Sequence, residues 1–307
     1  MTTRSPAEDQ RPAETTSATG DQWVIGHGHQ RAVITEVGAT LRSFTVDDRP
    51  VIDGFGPDQW SQGGQGQVLA PWPNRLGDGR YSFEDIDAQA PINELASNNA
   101  IHGLVRWMTW RMISRAQNRV SMALDLRPSP AYPFALGLTI EYRLGRDGLT
   151  VVADVDNLGP TDLPFGLGFH PYLTVGTPTE QRLIADDRGL PTATGSVAGT
   201  ELDFREGRLI GVTRLDTAFT ALHRDAEGRA RVALDHPDGH GGVTLWMDER
   251  FGYVMIYTGD TLEPEQRRTS VAVEPMSCPP DAFRSGTDLA VVRPGGRWTG
   301  SWGITPR

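Results

Sequence analysis

The chain has no lysine; all 29 of its basic residues are arginine. Without a side-chain amine, Schiff-base catalysis, pyridoxal-phosphate anchoring and the phosphate-binding lysine of P-loops are excluded. Cysteine is almost missing as well. Cys278 stands alone, so neither a disulfide within the chain nor a multi-cysteine zinc site can form. A single cysteine in 307 residues suits a reducing compartment, and a cytoplasmic location is expected. Long apolar runs are absent: no segment approaches the roughly 18 or more residues that a membrane helix needs. A net charge of −10 argues against nucleic acid and anionic membrane surfaces as partners.

Helical periodicity is also scarce. The first residues, Met1 to Gly20, are polar and acidic with too little apolar surface to offset ordering entropy. They read as a disordered tail over 1–20 and not as a secretory leader. Beyond them, 35 glycines and 22 prolines punctuate short β-type runs. Strands are expected at 31–36, 40–46, 120–125, 138–144, 149–155, 242–247 and 253–257, several of them alternating apolar and polar residues. Gly145-Arg146-Asp147-Gly148 separates two alternating runs and predicts a tight hairpin. The density of strands and turns points to an all-β fold, a large antiparallel sandwich. One domain over 21–307 is the simplest division; a split into two β domains near 175–210 is the alternative.

Seven histidines are present, and two have unusual settings. His102 follows Asn98-Asn99-Ala100-Ile101 and precedes Gly103, so the backbone turns at the imidazole. His170 lies in the apolar, glycine-flanked run Gly166-Leu167-Gly168-Phe169-His170-Pro171-Tyr172, where burial would tune its titration. A hydrogen-bonded core histidine has the same pattern. His236 and His240, near Asp235 and Asp238, suit a hairpin turn better than a metal site. Glu274 closes the run Val271-Ala272-Val273-Glu274 on the face opposite the valines. Pro275 is expected to end that strand and leave Glu274 at the rim of a sheet. A solvated edge-strand glutamate would look alike. In Trp72-Pro73-Asn74-Arg75, an aromatic ring and a guanidinium share a proline-stiffened loop, a combination suited to sugar C–H faces and hydroxyls. Asp216 could accept from a pair of hydroxyls, or any of these charges could form structural ion pairs.

Taken in order, these segments resemble the aldose 1-epimerase (galactose mutarotase) family. The resemblance is carried by Asn74-Arg75, Ile101-His102-Gly103, Gly168-Phe169-His170-Pro171-Tyr172-Leu173, Leu215-Asp216-Thr217-Ala218-Phe219, Tyr257-Thr258-Gly259, and Glu274 followed by Pro280-Asp281-Ala282. It implies a β-supersandwich without metal or organic cofactor, acting on a small-molecule sugar as a monomer or homodimer. It also implies Glu274 as catalytic base and His170 as catalytic acid, with His102, Arg75 and Asp216 holding the sugar; Asn74 and Trp72, in the same loop as Arg75, are expected to bind substrate beside them. The reaction would open the hemiacetal ring: a base takes the C1 hydroxyl proton, an acid protonates the ring oxygen, and roles reverse after rotation about C1–C2. For this, Glu274 is expected ionised and His170 protonated, on opposite sides of the ring.

The chain departs from the commoner family pattern at Leu104, after His-Gly, and at Phe169, before the acid histidine. The His102-Gly103-Leu104-Val105-Arg106 form looks like a bacterial branch that includes sulfoquinovose mutarotases. An epimerase of a phosphorylated or sulfonated hexose is therefore one alternative, with Arg106 and Arg75 as candidate cations. A non-catalytic carbohydrate-binding protein is the other.

Overall fold

The computed structural model describes residues 17–173, 179–185, 188–235 and 241–307, with backbone alone for 179–185. The His236 and His240 segment lies outside the described residues, as does most of the expected tail. Its last part is ordered: Ser17–Gly20 form a turn, Thr19 is buried, and the Thr19 carbonyl accepts from Val37 N–H at 3.0 Å. The disorder expected over 1–20 therefore does not extend to Ser17–Gly20. Thr19 and Gln22 tie this segment to the body by side-chain hydrogen bonds that composition does not reveal.

The described secondary structure is nearly all antiparallel strand, as expected. All seven strands read from the sequence are present, at Gln30–Thr35, Leu41–Val46, Arg119–Leu126, Leu136–Gly145, Gly148–Asn157, Gly242–Met247 and Tyr253–Tyr257. Gly145 pairs with Gly148 across the two-residue turn Arg146-Asp147. This hairpin anchors a seven-stranded sheet running from Arg111–Ala116 to Ala230–Asp235, with the C-terminal Arg297–Pro306 strand inserted beside Gly148–Asn157.

An eight-stranded sheet lies against it. Its central strands are Asp216–Leu222, Tyr253–Tyr257, Val271–Met276 and the short pieces Gly168–Phe169 and Tyr172–Leu173. Alternation divides its residues between two faces. Phe169, Phe219, Val254, Ile256, Val271 and Val273 enter the main core, which also takes Leu138, Ile140, Val151 and Trp302 from the seven-stranded sheet. Phe169 meets Trp302 at 5.1 Å between ring centroids, joining the two layers. The other face carries Asp216, Tyr257, Glu274 and His170, with a small apolar cluster of Ala218, Tyr253, Met255 and Met276 beside them. Among the described residues no helix is long and apolar enough to cross a membrane.

Candidate active site

The strand bearing Glu274 does not end at Pro275. It continues to Met276 and lies inside the sheet, so Glu274 is 2% exposed and sits in mid-sheet, not at a rim. The proline is tolerated because of where its missing donor falls. Val273 N–H donates to Pro171 O at 3.0 Å, and alternate residues of a strand point their N–H groups to the same side. Pro275 therefore lacks its N–H toward the Gly168–Leu173 segment, which itself holds a proline. Two donors are missing from one junction, yet the register survives: Gly168 faces Met276 and Tyr172 faces Ala272. The same register sets His170 opposite Glu274, and directly opposed residues put their side chains on one face.

The result is a buried carboxyl–imidazole pair, with His170 Nε2 3.3 Å from Glu274 Oε1. His170 is 4% exposed. Its ring stacks on Tyr172, whose hydroxyl donates to Gly63 O at 2.7 Å, and His102 meets it edge-on with centroids 5.2 Å apart. His102 takes a left-handed backbone conformation (φ 66°), the turn expected from its flanking residues. Gly103 continues that turn, and a Cβ there would lie 2.0 Å from Ala70 O. Three atoms of the cluster have no protein partner: His102 Nδ1, His170 Nδ1 and Glu274 Oε2.

Burial opposes every charge in this group. It pushes the His170 imidazole down to about 3 and lowers His102 well below its ordinary range, aided there by the charges of His170 and Arg106. It raises the Glu274 carboxyl well above the ordinary range, reinforced by Asp216 and opposed by Arg75. The expected ion pair is thus disfavoured before substrate binds. Burial therefore favours a neutral carboxyl beside a neutral imidazole over two opposed charges. The two groups are adjacent, in direct contact across the pair of strands.

One cleft of about 270 Å³ gathers Asn74, Arg75, His102, His170, Asp216 and Glu274. This is near the small end of the roughly 300–1,000 Å³ typical of ligand sites. Arg75 begins a strand that pairs with Asn99–Ile101, so it stands beside His102. Its guanidinium is clamped by Glu94 through Nε at 3.1 Å to both carboxylate oxygens, and meets Asp216 at 3.3 Å. Burial alone would lower its pKa, but Asp216 and Glu94 hold it above the ordinary value. Asn74 is buried with φ 54°, and its Oδ1 accepts from Arg75 N–H at 2.9 Å.

Trp72 does not belong here. It is 3% exposed, packs edge-on against Phe283 and donates Nε1–H to Ala100 O at 3.3 Å. The proline-stiffened loop turns its ring into the core. The tryptophan at the cleft is instead Trp107, 52% exposed, with the Arg106 guanidinium 5.6 Å from its ring. Nothing in the sequence singles out Glu94, Ser61 or Leu262, and Tyr257 stands out only within the family-like stretch Tyr257-Thr258-Gly259. Glu94 sits in an unremarkable loop, and only its later pairing with Asn99 reveals it. His102, His170 and Glu274 offer ligating atoms within 4.8 Å of one another, so two imidazoles and a carboxylate could hold a divalent cation.

Comparison with known proteins agrees with this architecture. The family model for aldose 1-epimerase matches residues 21–305. The chain is 33% identical over 282 residues to the uncharacterized protein YihR of Escherichia coli K12, covering 88% of each. It is 22% identical to the uncharacterized protein YphB of the same strain, covering 89% of this chain and 94% of that one. Its fold matches the GalM/aldose epimerase homologue from C. elegans with a TM-score of 0.83 at 17% identity, covering 94% of this chain and 98% of that one. It matches galactose 1-epimerase from Lactobacillus acidophilus NCFM with a TM-score of 0.77 at 18% identity, covering 92% of both. From its strand order to the six residues gathered in the cleft, the chain belongs to the aldose 1-epimerase family, a family of isomerases.

Proposed function

We propose that this protein is a cytoplasmic mutarotase that interconverts the α and β anomers of an aldohexose or its derivative, with Glu274 as base and His170 as acid. The observation that carries this is the buried, side-by-side contact of Glu274 and His170 in the cleft floor. The two oxygens that exchange protons during ring opening, O1 and O5, are both bonded to C1. Adjacent acid and base groups therefore match adjacent oxygens, and no separation across the ring is needed. As the ring opens, Glu274 takes the O1 proton while the His170 proton goes to O5; closing reverses both transfers. The pair starts and ends with one proton, so a turnover needs no exchange with solvent. Positioned acid–base groups contribute about 10²- to 10⁴-fold, and the chemistry asks for no metal.

The proton distribution also fits. With the cleft open, burial keeps the pair neutral. A bound sugar supplies hydroxyl dipoles that stabilise the charge-separated form, in which Glu274 is the base. Arg75, fixed by Glu94 and Asp216, binds sugar hydroxyls together with Asp216, Asn74 and His102. Trp107 takes the stacking role expected of Trp72.

One observation favours a charged substrate. Arg106 lines the cleft, is largely buried, and has no acidic partner among the described residues. Arg75, by contrast, is already balanced by two carboxylates. A phosphorylated or sulfonated hexose would pair Arg106. Anomer-exchange NMR on neutral, phosphorylated and sulfonated hexoses, with wild type and Glu274→Gln, tests both statements. Wild-type exchange on at least one sugar, lost in the variant, is expected. Binding without exchange would indicate a carbohydrate-binding protein.

A further inference from the structure

The loop Ser61–Gln67 contains a polar group that neither the acid–base pair nor the arginines account for. Ser61 lines the same cleft as Glu274 and His170 and is 5% exposed. Its hydroxyl oxygen has no hydrogen-bond partner. Nearly all buried hydroxyls in folded proteins have one, so a bare hydroxyl in the wall of a ligand cleft implies a partner that arrives with the ligand.

The loop around Ser61 is fixed, not slack. Gln65 N–H donates to Gln62 O at 3.1 Å and Gln67 N–H to Gly64 O at 3.0 Å. Gly66 N–H donates to His170 O at 2.8 Å, and His170 N–H donates back to Gln67 O at 3.1 Å. Gly63 O is held by the Tyr172 hydroxyl. The turn is therefore tied to the backbone of His170 on both sides. Gly64 shows how close the approach is. It has φ +84°, and a Cβ there would lie 2.8 Å from His170 Cδ2 and 3.0 Å from Nε2, the nitrogen that faces Glu274. Only a glycine lets the loop rest against the working edge of the imidazole. Gly64 also lines the cleft, and its N–H has no protein partner among the described residues.

We infer that Ser61 is a substrate-binding residue: its hydroxyl hydrogen-bonds one hydroxyl of the sugar held over the Glu274–His170 pair. The loop fixes that hydroxyl in the frame of His170, so that the sugar is placed relative to the acid and not only relative to Arg75. This rests on the reading of the cleft as a sugar site. It adds a contact from the loop packed against His170 and gives the three glycines within 63–66 a purpose.

The test is Ser61→Ala, measured by anomer-exchange NMR at varied concentrations of an accepted sugar and of its monodeoxy analogues, with thermal melts alongside. Loss of one neutral hydrogen bond predicts a fall in kcat/KM of about 2- to 15-fold, mostly through KM. Tm should stay unchanged, because the hydroxyl bonds nothing in the protein. For one deoxy analogue, the one lacking the partner hydroxyl, wild type and Ser61→Ala should be equal. Equal rates on every sugar that the wild type turns over would overturn the inference, as would a loss that is the same for all analogues and tracks a lowered Tm. A wild type that exchanges no sugar at all is a different result: it overturns the mutarotase reading itself.

Discussion

Two pairs of neighbouring strands in this molecule obey opposite rules. Leu136–Gly145 and Gly148–Asn157 pair without interruption from Leu136 opposite Asn157 to Gly145 opposite Gly148, and their inward residues fill the core. Gly168–Leu173 and Val271–Met276 keep register only at their ends, and prolines at 171 and 275 remove donors between them. The first pair is built for burial. The second holds the carboxyl–imidazole pair at the place where its ladder lapses. The same sheet-forming physics gives a core where pairing is complete and a buried carboxyl–imidazole contact where it is broken.

The sharpest way to break this comparison is to change each pair and read both properties. Glu274→Gln keeps the size of the side chain and removes the titrating group. Anomer exchange should fall about 10²- to 10⁴-fold, while far-UV circular dichroism and cooperative unfolding persist. A variant within a few-fold of wild type would remove Glu274 as base. In the unbroken pair, Leu138 is buried in the core. Leu138→Ala should cost about 2–5 kcal/mol of stability in urea unfolding. Exchange by the molecules that remain folded should be unchanged, because Leu138 lies in the core of the other sheet and does not line the cleft. If exchange fell in parallel with stability, the division of labour would be wrong.

The comparison also explains what could be read from the chain beforehand. Strands such as Gly148–Asn157 announce themselves by alternation and by the glycines at their ends, so the all-β architecture was legible. His170 and Glu274 each stood out as a titratable residue in an apolar run followed by a proline, but that pattern equally fits a core histidine and an edge glutamate, and only the family resemblance gave them roles. What misled was the meaning of that proline. In isolation Pro275 reads as a strand end; only the partner strand, with its own Pro171, shows that the missing donor faces another missing donor. Trp72 misled because a loop's side-chain direction depends on what lies beneath it, here Phe283, more than two hundred residues away. Glu94 and Ser61 gave no local signal. Their importance comes from what folding brings beside them, Arg75 in one case and the edge of His170 in the other.

Glu94 offers a smaller and more selective test. It touches Arg75 and not the reacting atoms, so it acts by positioning. Glu94→Gln should leave kcat nearly unchanged and raise KM about 12-fold, the low end of the about 1.5–3 kcal/mol for hydrogen bonds to charged groups. A fall in kcat with constant KM would show that Arg75 acts in the transition state and not in sugar binding.

The smallest expected effect concerns pH, and its sign follows from burial. In water a glutamate near 4.5 and a histidine near 6.5 would share one proton only between those values. In the cleft, burial pushes His170 down to about 3 and Glu274 well up, so the lower limit of the one-proton state moves down and its upper limit is set by the carboxyl and not by the imidazole. The kcat/KM profile should therefore run flat through pH 6.5, and a histidine-like inflection there would contradict the burial argument. Stability separates the two members of the pair. The depressed His170 contributes stability present above 6.5 and lost as pH falls toward 3. The raised Glu274 contributes stability present below 4.5 and lost as pH climbs toward its raised value, because the unfolded chain releases that proton first. Glu274→Gln removes only the second dependence. Urea unfolding at pH 5 and pH 8 should then show the variant gaining on wild type as pH rises. A gap that stays constant between the two pH values would mean that Glu274 is ionised in the folded protein throughout, and that the broken ladder, not burial, sets the charge of the pair.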